Sequence, residues 1–423
     1  MYQKTTLDNG RRILTSHRPH TRSASIIFFY GVGQRYEPKE ITGISHFIEH
    51  MLFKGTGRRP TPQEISEAIE GVGGSLNATT GREYTDYFAV VPAQHLATAV
   101  DVLADMLVGS RFEPEEIERE RHVITEEINS IYDSPPELVG QLIEETLWGD
   151  GPLGRDVAGS RETVAAISRE QMLDFLGQYY VPRSTVVSVA GQVDHDAVVQ
   201  MVGEVFGGQT GPAVPRPAAV QSDQTEQRVR IFSKDTEQTN LCLAVPALSY
   251  TDPERYVQQM LDGVLGSGMS SRLFVEIREK RALAYSVGSY VQNYRDVGGW
   301  IVQAAVDNER ADDCIEGVLH ELDRVRQERV PDTELQKVKE YHKGHLLLAM
   351  ESSRSVAGWG GRQELLLDHI YSLDDVLAAI DAVTPEQVQD LAGRLFTPAL
   401  LNLSVVGPFD EDDDHFRELL TLR

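Results

Sequence analysis

The strongest constraint on the fold is that the chain repeats itself. Ser188-Val189-Ala190-Gly191 recurs as Ser404-Val405-Val406-Gly407, and Ala166-Ile167-Ser168-Arg169-Glu170-Gln171 recurs as Ala382-Val383-Thr384-Pro385-Glu386-Gln387, both pairs displaced by the same interval. A constant shift at separated places marks a duplication, with one α+β domain in each half of the 423 residues. Between the halves, the turn-rich stretch from 207 to 227, with Pro212, Pro215 and Pro217, reads as a linker. The predicted division is an N-terminal domain at 1–210, a linker at 211–227 and a C-terminal domain at 228–423.

The copies are not chemically equivalent. Residues 44 to 58 of the first place His46, Glu49 and His50 in an otherwise apolar stretch with Phe47, Ile48, Met51, Leu52 and Phe53. On a helix, positions i, i+3 and i+4 share one face, so both imidazoles can address one ion with Glu49 beside them. Two His and a Glu at these offsets also arise by chance on solvated faces. Here the apolar neighbours argue for burial, and buried imidazoles and carboxylates need partners. Zinc suits two imidazoles, takes a third protein ligand and leaves a position for water, with Glu49 as the natural base. The order H-x-x-E-H is that of the inverted zincin motif. The corresponding stretch of the second copy, Tyr256 to Asp262, carries no His pair.

A third ligand must come from elsewhere, and residues 115 to 131 are the donor. Ile117, Val123, Ile124, Ile128 and Ile131 form a helical stripe, and Glu120 and Glu127 lie two turns apart on one face. His-Phe-Ile-Glu-His-Met-Leu-Phe-Lys-Gly-Thr followed by Glu-Arg-His-Val-Ile-Thr-Glu-Glu-Ile resembles the pitrilysin/insulinase family of zinc peptidases, in the branch similar to mitochondrial processing peptidase. The resemblance implies that the third ligand is the last Glu of this downstream pattern, Glu127, and that Glu120 is a carboxylate supporting the ligands. Glu126 is the neighbouring alternative, read as a solvated helix residue.

Gly73-Gly74-Ser75-Leu76-Asn77-Ala78-Thr79-Thr80 reads either as a Gly-weakened edge strand or as an edge that pairs with an extended peptide, holding its scissile bond over the metal. The family places substrate backbone here, which makes Asn77, Ala78 and Thr79 candidates. In the second copy, Gly266-Ser267-Gly268-Met269 lacks the Gly-Lys-Ser/Thr ending of a phosphate loop and reads as a flexible loop before a helix. By resemblance, Arg278 holds substrate backbone carbonyls or the C-terminal side of the cleft, and Tyr285 hydrogen-bonds the developing oxyanion. Taken alone, they are an ordinary surface pair.

Composition narrows the function. With 41% hydrophobic residues the chain can bury large cores. Forty basic against sixty-five acidic residues give a formal charge of −25, which argues against nucleic acid or an anionic membrane as partner and permits basic peptides. Cys242 and Cys314 form no framework and read as buried thiols. The N-terminal stretch has neither an apolar signal core nor an Arg/Ser-rich presequence, and no run of 18 apolar residues occurs, so a cytoplasmic location is expected.

The resulting expectation is a zinc endopeptidase of two homologous α+β domains, each a mainly antiparallel sheet covered by helices, with one zinc per chain. Longer members of the family join four such domains. A chain with two is therefore expected to form a homodimer enclosing a chamber that admits unfolded peptides. The rival expectations are a non-catalytic scaffold subunit and a catalytic subunit that needs a separate partner chain.

Overall fold

The computed structural model describes residues 2–220, 224–412 and 414–422, so residues 221–223 of the expected linker lie outside it. The first half runs through β1 (Gln3–Thr6), β2 (Arg12–His17), β3 (Ser23–Tyr30), α1 (Ile44–Leu52), α2 (Pro62–Glu70), β4 (Ser75–Thr80) and β5 (Thr85–Pro92). It continues with α3 (Leu96–Gly109), α4 (Pro114–Asp133), α5 (Pro135–Trp148), α6 (Arg161–Ala166), α7 (Arg169–Tyr179), β6 (Thr185–Gly191) and α8 (His195–Phe206). The second half begins with β7 (Arg228–Ser233), β8 (Gln238–Ala247), α9 (Arg255–Leu265), β9 (Ala284–Asn293) and β10 (Gly298–Asp307). It ends with α10 (Ala311–Gln327), α11 (Asp332–Ala349), α12 (Ser353–Leu367), α13 (Leu373–Ala382), α14 (Pro385–Leu395), β11 (Asn402–Gly407) and α15 (His415–Leu419).

Sequence explains the local choices. At the Asn9-Gly10 turn, Gly10 takes φ +90° and Asn9 Oδ1 accepts from the Arg11 N–H at 3.1 Å, joining β1 to antiparallel β2. One of the duplicated stretches proves to be a capping box. Ser168 with Gln171 opens α7, and Thr384 with Gln387 opens α14, each side chain bonding the other residue's backbone N–H.

The duplication reaches topology. The first sheet has the order β1-β2-β6-β3-β5-β4 and the second β7-β11-β8-β10-β9, so apart from β1 the two orders coincide strand for strand. Each contains one parallel pair, β2 with β6 and β7 with β11, and is otherwise antiparallel. The fold is therefore α+β with two homologous sheets. β4 and β9 are the corresponding edge strands. No helix among the described residues is long and apolar enough to cross a membrane.

The two compact units are not the two halves of the chain. One comprises residues 1–128, 155–218 and 346–372; the other comprises 129–154, 219–345 and 373–423. Each half thus contributes one helix to the other half's sheet. α12 lies on β3 and β6, burying Val356, Ala357 and Leu365 with Ile27, Phe29 and Val186, while Ser188 Oγ donates to the Ala357 carbonyl at 2.7 Å. α5 lies on β8 and β11, burying Leu138, Leu142 and Ile143 with Cys242, Ala244 and Val406, while Thr146 and Ser404 hydroxyls meet at 3.0 Å. Ser188 and Ser404 are repeat equivalents, so the same strand position receives the exchanged helix in both units.

Candidate metal centre

The amphipathic pattern of α1 decides which of its side chains remain available. Ile44, Ser45, Phe47, Ile48, Met51 and Leu52 are buried, and Phe47, Ile48 and Met51 join the core beneath the first sheet. His46, Glu49 and His50, on the remaining face, are half-buried. α4 supplies the facing carboxylates: Ile117, Ile124 and Ile128 are buried, Glu120 lies buried among them, and Glu127 is exposed two turns on.

The ring nitrogens converge. His46 Nε2 and His50 Nε2 are 3.2 Å apart, and each lies 3.7 Å from Glu127 Oε2. Two ligand atoms bound tetrahedrally at ordinary zinc distances are separated by about 3.4 Å, which these three separations match. His46, His50 and Glu127 form the one group of metal-ligating type found among the described residues, with ligand atoms all within 4.8 Å of one another. His46 Nδ1 is buried with no hydrogen-bond partner among the described residues. The donor set therefore fits a zinc ion, and it is Glu127 rather than Glu126 whose carboxylate faces the imidazoles.

A supporting layer surrounds these atoms. Glu120 accepts from His50 Nδ1 at 3.0 Å through one oxygen and pairs with Lys54 Nζ at 2.7 Å through the other. That bond makes Nδ1 the protonated nitrogen of His50 and leaves Nε2 as the ligand. Glu49 receives a hydrogen bond from the Thr80 hydroxyl, at the end of edge strand β4.

The electrostatics follow from burial and these bonds. Burial first, then the charge of His50, holds His46 down at about 4, so its imidazole is neutral near pH 7 and free to ligate. Burial also pulls on His50, but the bond to Glu120 and the charges of Glu127, Glu120 and Glu49 outweigh it and hold that imidazole above its usual value. The Glu49 carboxyl is raised, chiefly by burial, with the Thr80 bond opposing. Burial acts to raise Glu120 too, but the bonds from His50 and Lys54 prevail and keep it ionised. A raised carboxyl beside two imidazoles is suited to taking and returning a proton.

Asn77, Ala78 and Thr79 fall on the edge strand β4, with Asn77 and Thr79 exposed. Asn77 Oδ1 accepts from the Ala78 N–H at 2.8 Å. Arg278 and Tyr285 lie in the other unit, Arg278 in a π-helical turn spanning Phe274–Lys280 and Tyr285 on β9. They meet each other: the guanidinium stands 5.4 Å from the Tyr285 ring centre and 4.9 Å from that of Phe274, and Tyr285 is 77% exposed. Sequence reasoning missed Lys54 and Thr80. Lys54 stands four residues beyond His50, but its ion pair with Glu120 depends on a contact with a separate helix, α4. Thr80 ends the strand whose three preceding residues the sequence singles out, and only the folded chain shows that its hydroxyl is the one that meets Glu49.

Known proteins resemble this chain over nearly its whole length. Residues 12–161 match the family described as Insulinase (Peptidase family M16), and residues 166–341 match the Peptidase M16 inactive domain. An uncharacterized zinc protease of Streptomyces coelicolor is 38% identical over 97% of this chain and 90% of its own length. The uncharacterized zinc protease YmxG of Bacillus subtilis is 36% identical over 94% of this chain and 96% of its own. Among solved structures, a protease from Helicobacter pylori superposes with a TM-score of 0.92 at 22% identity, covering 96% of this chain and 99% of that one. A chain of Complex III2 from Candida albicans superposes at 0.85 with 19% identity, covering 99% and 98%. These last two likenesses concern the fold.

Proposed function

Because the chain belongs to the insulinase family, peptidase family M16, we propose that it is a zinc-dependent endopeptidase acting on unfolded peptides. The observation that carries this reading is the meeting of His46, His50 and Glu127 around one point with Glu49 beside them. Zinc held there would supply Lewis acidity, lowering the pKa of a water and polarising a peptide carbonyl. Glu49 takes the proton from the attacking water and returns it to the leaving amine, its carboxylate steered by the Thr80 hydroxyl. Glu120, neutralised in part by Lys54, keeps the His50 ring turned so that Nε2 faces the site. β4 holds substrate backbone as an added strand, through Asn77, Ala78 and Thr79. Arg278 and Tyr285 act on the substrate as a pair, Tyr285 at the oxyanion; their ring contact and the exposure of Tyr285 support this role.

In this reading one zinc is bound per chain, and two copies of the chain enclose a chamber that excludes folded proteins. The test is zinc content together with cleavage of a quenched unfolded peptide, comparing the parent with Glu49→Gln. The parent should hold one zinc and cut; the variant should keep zinc and lose roughly 100- to 10,000-fold in kcat. Zinc without cleavage by the parent would point to a missing partner chain. A parent with no zinc would leave the scaffold reading, to which the likeness with the Complex III2 chain lends its fold.

A further inference from the structure

The N-terminus of α1 cannot cap itself. Its capping position is Gly43, at φ +98°, where an added Cβ would stand 2.5 Å from the Ala158 carbonyl oxygen, so no Ser, Thr, Asp or Asn fits. The missing cap comes from Glu37, earlier in the chain. One carboxylate oxygen accepts from the Gly43 N–H at 2.7 Å and the other from the Ser45 N–H at 2.8 Å. Glu37 is 3% exposed, so this carboxylate is set in the protein interior against the positive end of the helix that carries His46, Glu49 and His50.

The segment that presents Glu37 is itself tied to the edge strand. In the 3-10 turn Gln34–Tyr36, the Gln34 N–H bonds the Gly81 carbonyl at 3.1 Å and the Arg35 N–H bonds the Arg82 carbonyl at 2.9 Å. Arg35 also pairs with Glu83 at 2.8 Å. Gly33 lies so close that a Cβ there would be 2.2 Å from the Gly81 oxygen. Gly81 directly follows Thr80, whose hydroxyl holds Glu49. On the other side, Arg155 bonds the Glu37 carbonyl at 3.3 Å and Thr42 Oγ1 at 2.8 Å. One short segment therefore grips both the end of β4 and the start of α1.

We propose that Glu37 is the positioning residue of the metal helix, fixing the height and rotation of α1 against the end of β4 and thereby the ligand geometry and the Glu49–Thr80 contact. This rests on the metal-site reading above and adds to it a group that touches neither metal nor substrate. A Gln at this position can accept one N–H, but its amide turns a donor toward the other; an Asp is too short to span both.

The test compares the parent with Glu37→Gln and Glu37→Asp, and with Val202→Ala, a buried truncation on α8, which packs on α3 and β2. Three quantities are read: zinc affinity against a chelating dye, the visible spectrum of the cobalt(II)-loaded protein, and melting temperature. Peptide kinetics are added where the parent cuts. The Glu37 variants should bind zinc roughly 10- to 100-fold more weakly, with altered cobalt band positions and intensities, and should lose kcat with KM within about twofold. Val202→Ala should melt lower with metal affinity and spectrum unchanged. Parental affinity and spectrum in the Glu37 variants would overturn the proposal, as would equal changes in Val202→Ala, since the effect would then follow stability alone. If Glu37→Gln does not fold, Glu37→Asp decides on the same readings. With a parent that binds metal but cuts nothing, the peptidase reading turns to a missing partner chain while affinity and spectrum still decide this proposal; a parent that binds no metal overturns both.

Discussion

Thr80 and Glu120 each hydrogen-bond a polar side chain of the metal helix, Thr80 donating to Glu49 and Glu120 accepting from His50. Thr80→Val keeps the volume and removes the donor to Glu49. A hydrogen bond to a charged group is worth about 1.5–3 kcal/mol, so kcat should fall at least about tenfold with zinc affinity unchanged. That bond favours the ionised carboxylate, so its loss raises the Glu49 carboxyl further, and the acid limb of kcat/KM should move to higher pH; an unmoved limb would deny Glu49 the role of base. Glu37 gives a separate signature in stability. Burial, the largest influence, raises its carboxyl from 4.5 to about 7 against the bonds from Ser45 and Gly43 and the charge of Arg155. The folded state then holds a proton that the unfolded state has released, so stability declines as pH rises from about 4.5 to 7, by up to about 3 kcal/mol, and is lost no further above that window. Denaturant titrations across this range should slope downward for the parent and lie flatter for Glu37→Gln. At this scale the sequence was legible where chemistry sits at helical spacing: His46, Glu49 and His50 share a face because three and four residues make one turn. Glu37, Lys54 and Thr80 act through contacts that spacing does not encode.

Among the elements, the metal helix, the helix of the facing carboxylates and the edge strand β4 were legible from periodicity and turn residues, and the repeat announced a second sheet. The exchange of α5 and α12 could not. An apolar helical face states that it will be covered, not by which sheet, and both helices satisfy the same requirement on either of two homologous surfaces. What distinguishes α12 is its close approach to the first sheet, where Gly361 lies so near Phe29 that a Cβ would stand 2.2 Å from the ring. Gly361→Ala should therefore destabilise the unit by about 1–3 kcal/mol through overpacking, despite the better helix propensity of Ala. A denaturation midpoint equal to the parent's would mean that the sheet yields there.

For the whole molecule, the formal charge of −25 would draw a basic peptide in from a distance. Matched basic peptides should be cut with higher kcat/KM than acidic ones at low salt, and the gap should close as ionic strength shortens the screening length. Equal rates at low salt would mean that the acidity lies away from the path of the substrate. The exchange makes a second prediction at this scale. A fragment ending at residue 218 lacks residues 346–372 and leaves Ile27, Phe29 and Phe88 uncovered, so it should aggregate or remain unfolded, whereas co-expression with residues 219–423 should restore a soluble complex.

The same exchange sets a timetable for synthesis. The last strand of the first sheet, β6, ends at Gly191, but α12 is complete only at Leu367, with most of the second half of the chain made in between. At about 5–20 residues per second, the ribosome needs roughly 9–35 s to deliver it. Throughout that interval the apolar patch of Ile27, Phe29, Phe88 and Val186 lacks the helix that covers it, and a nascent chain released early should be held by whatever shelters apolar surface in the cell.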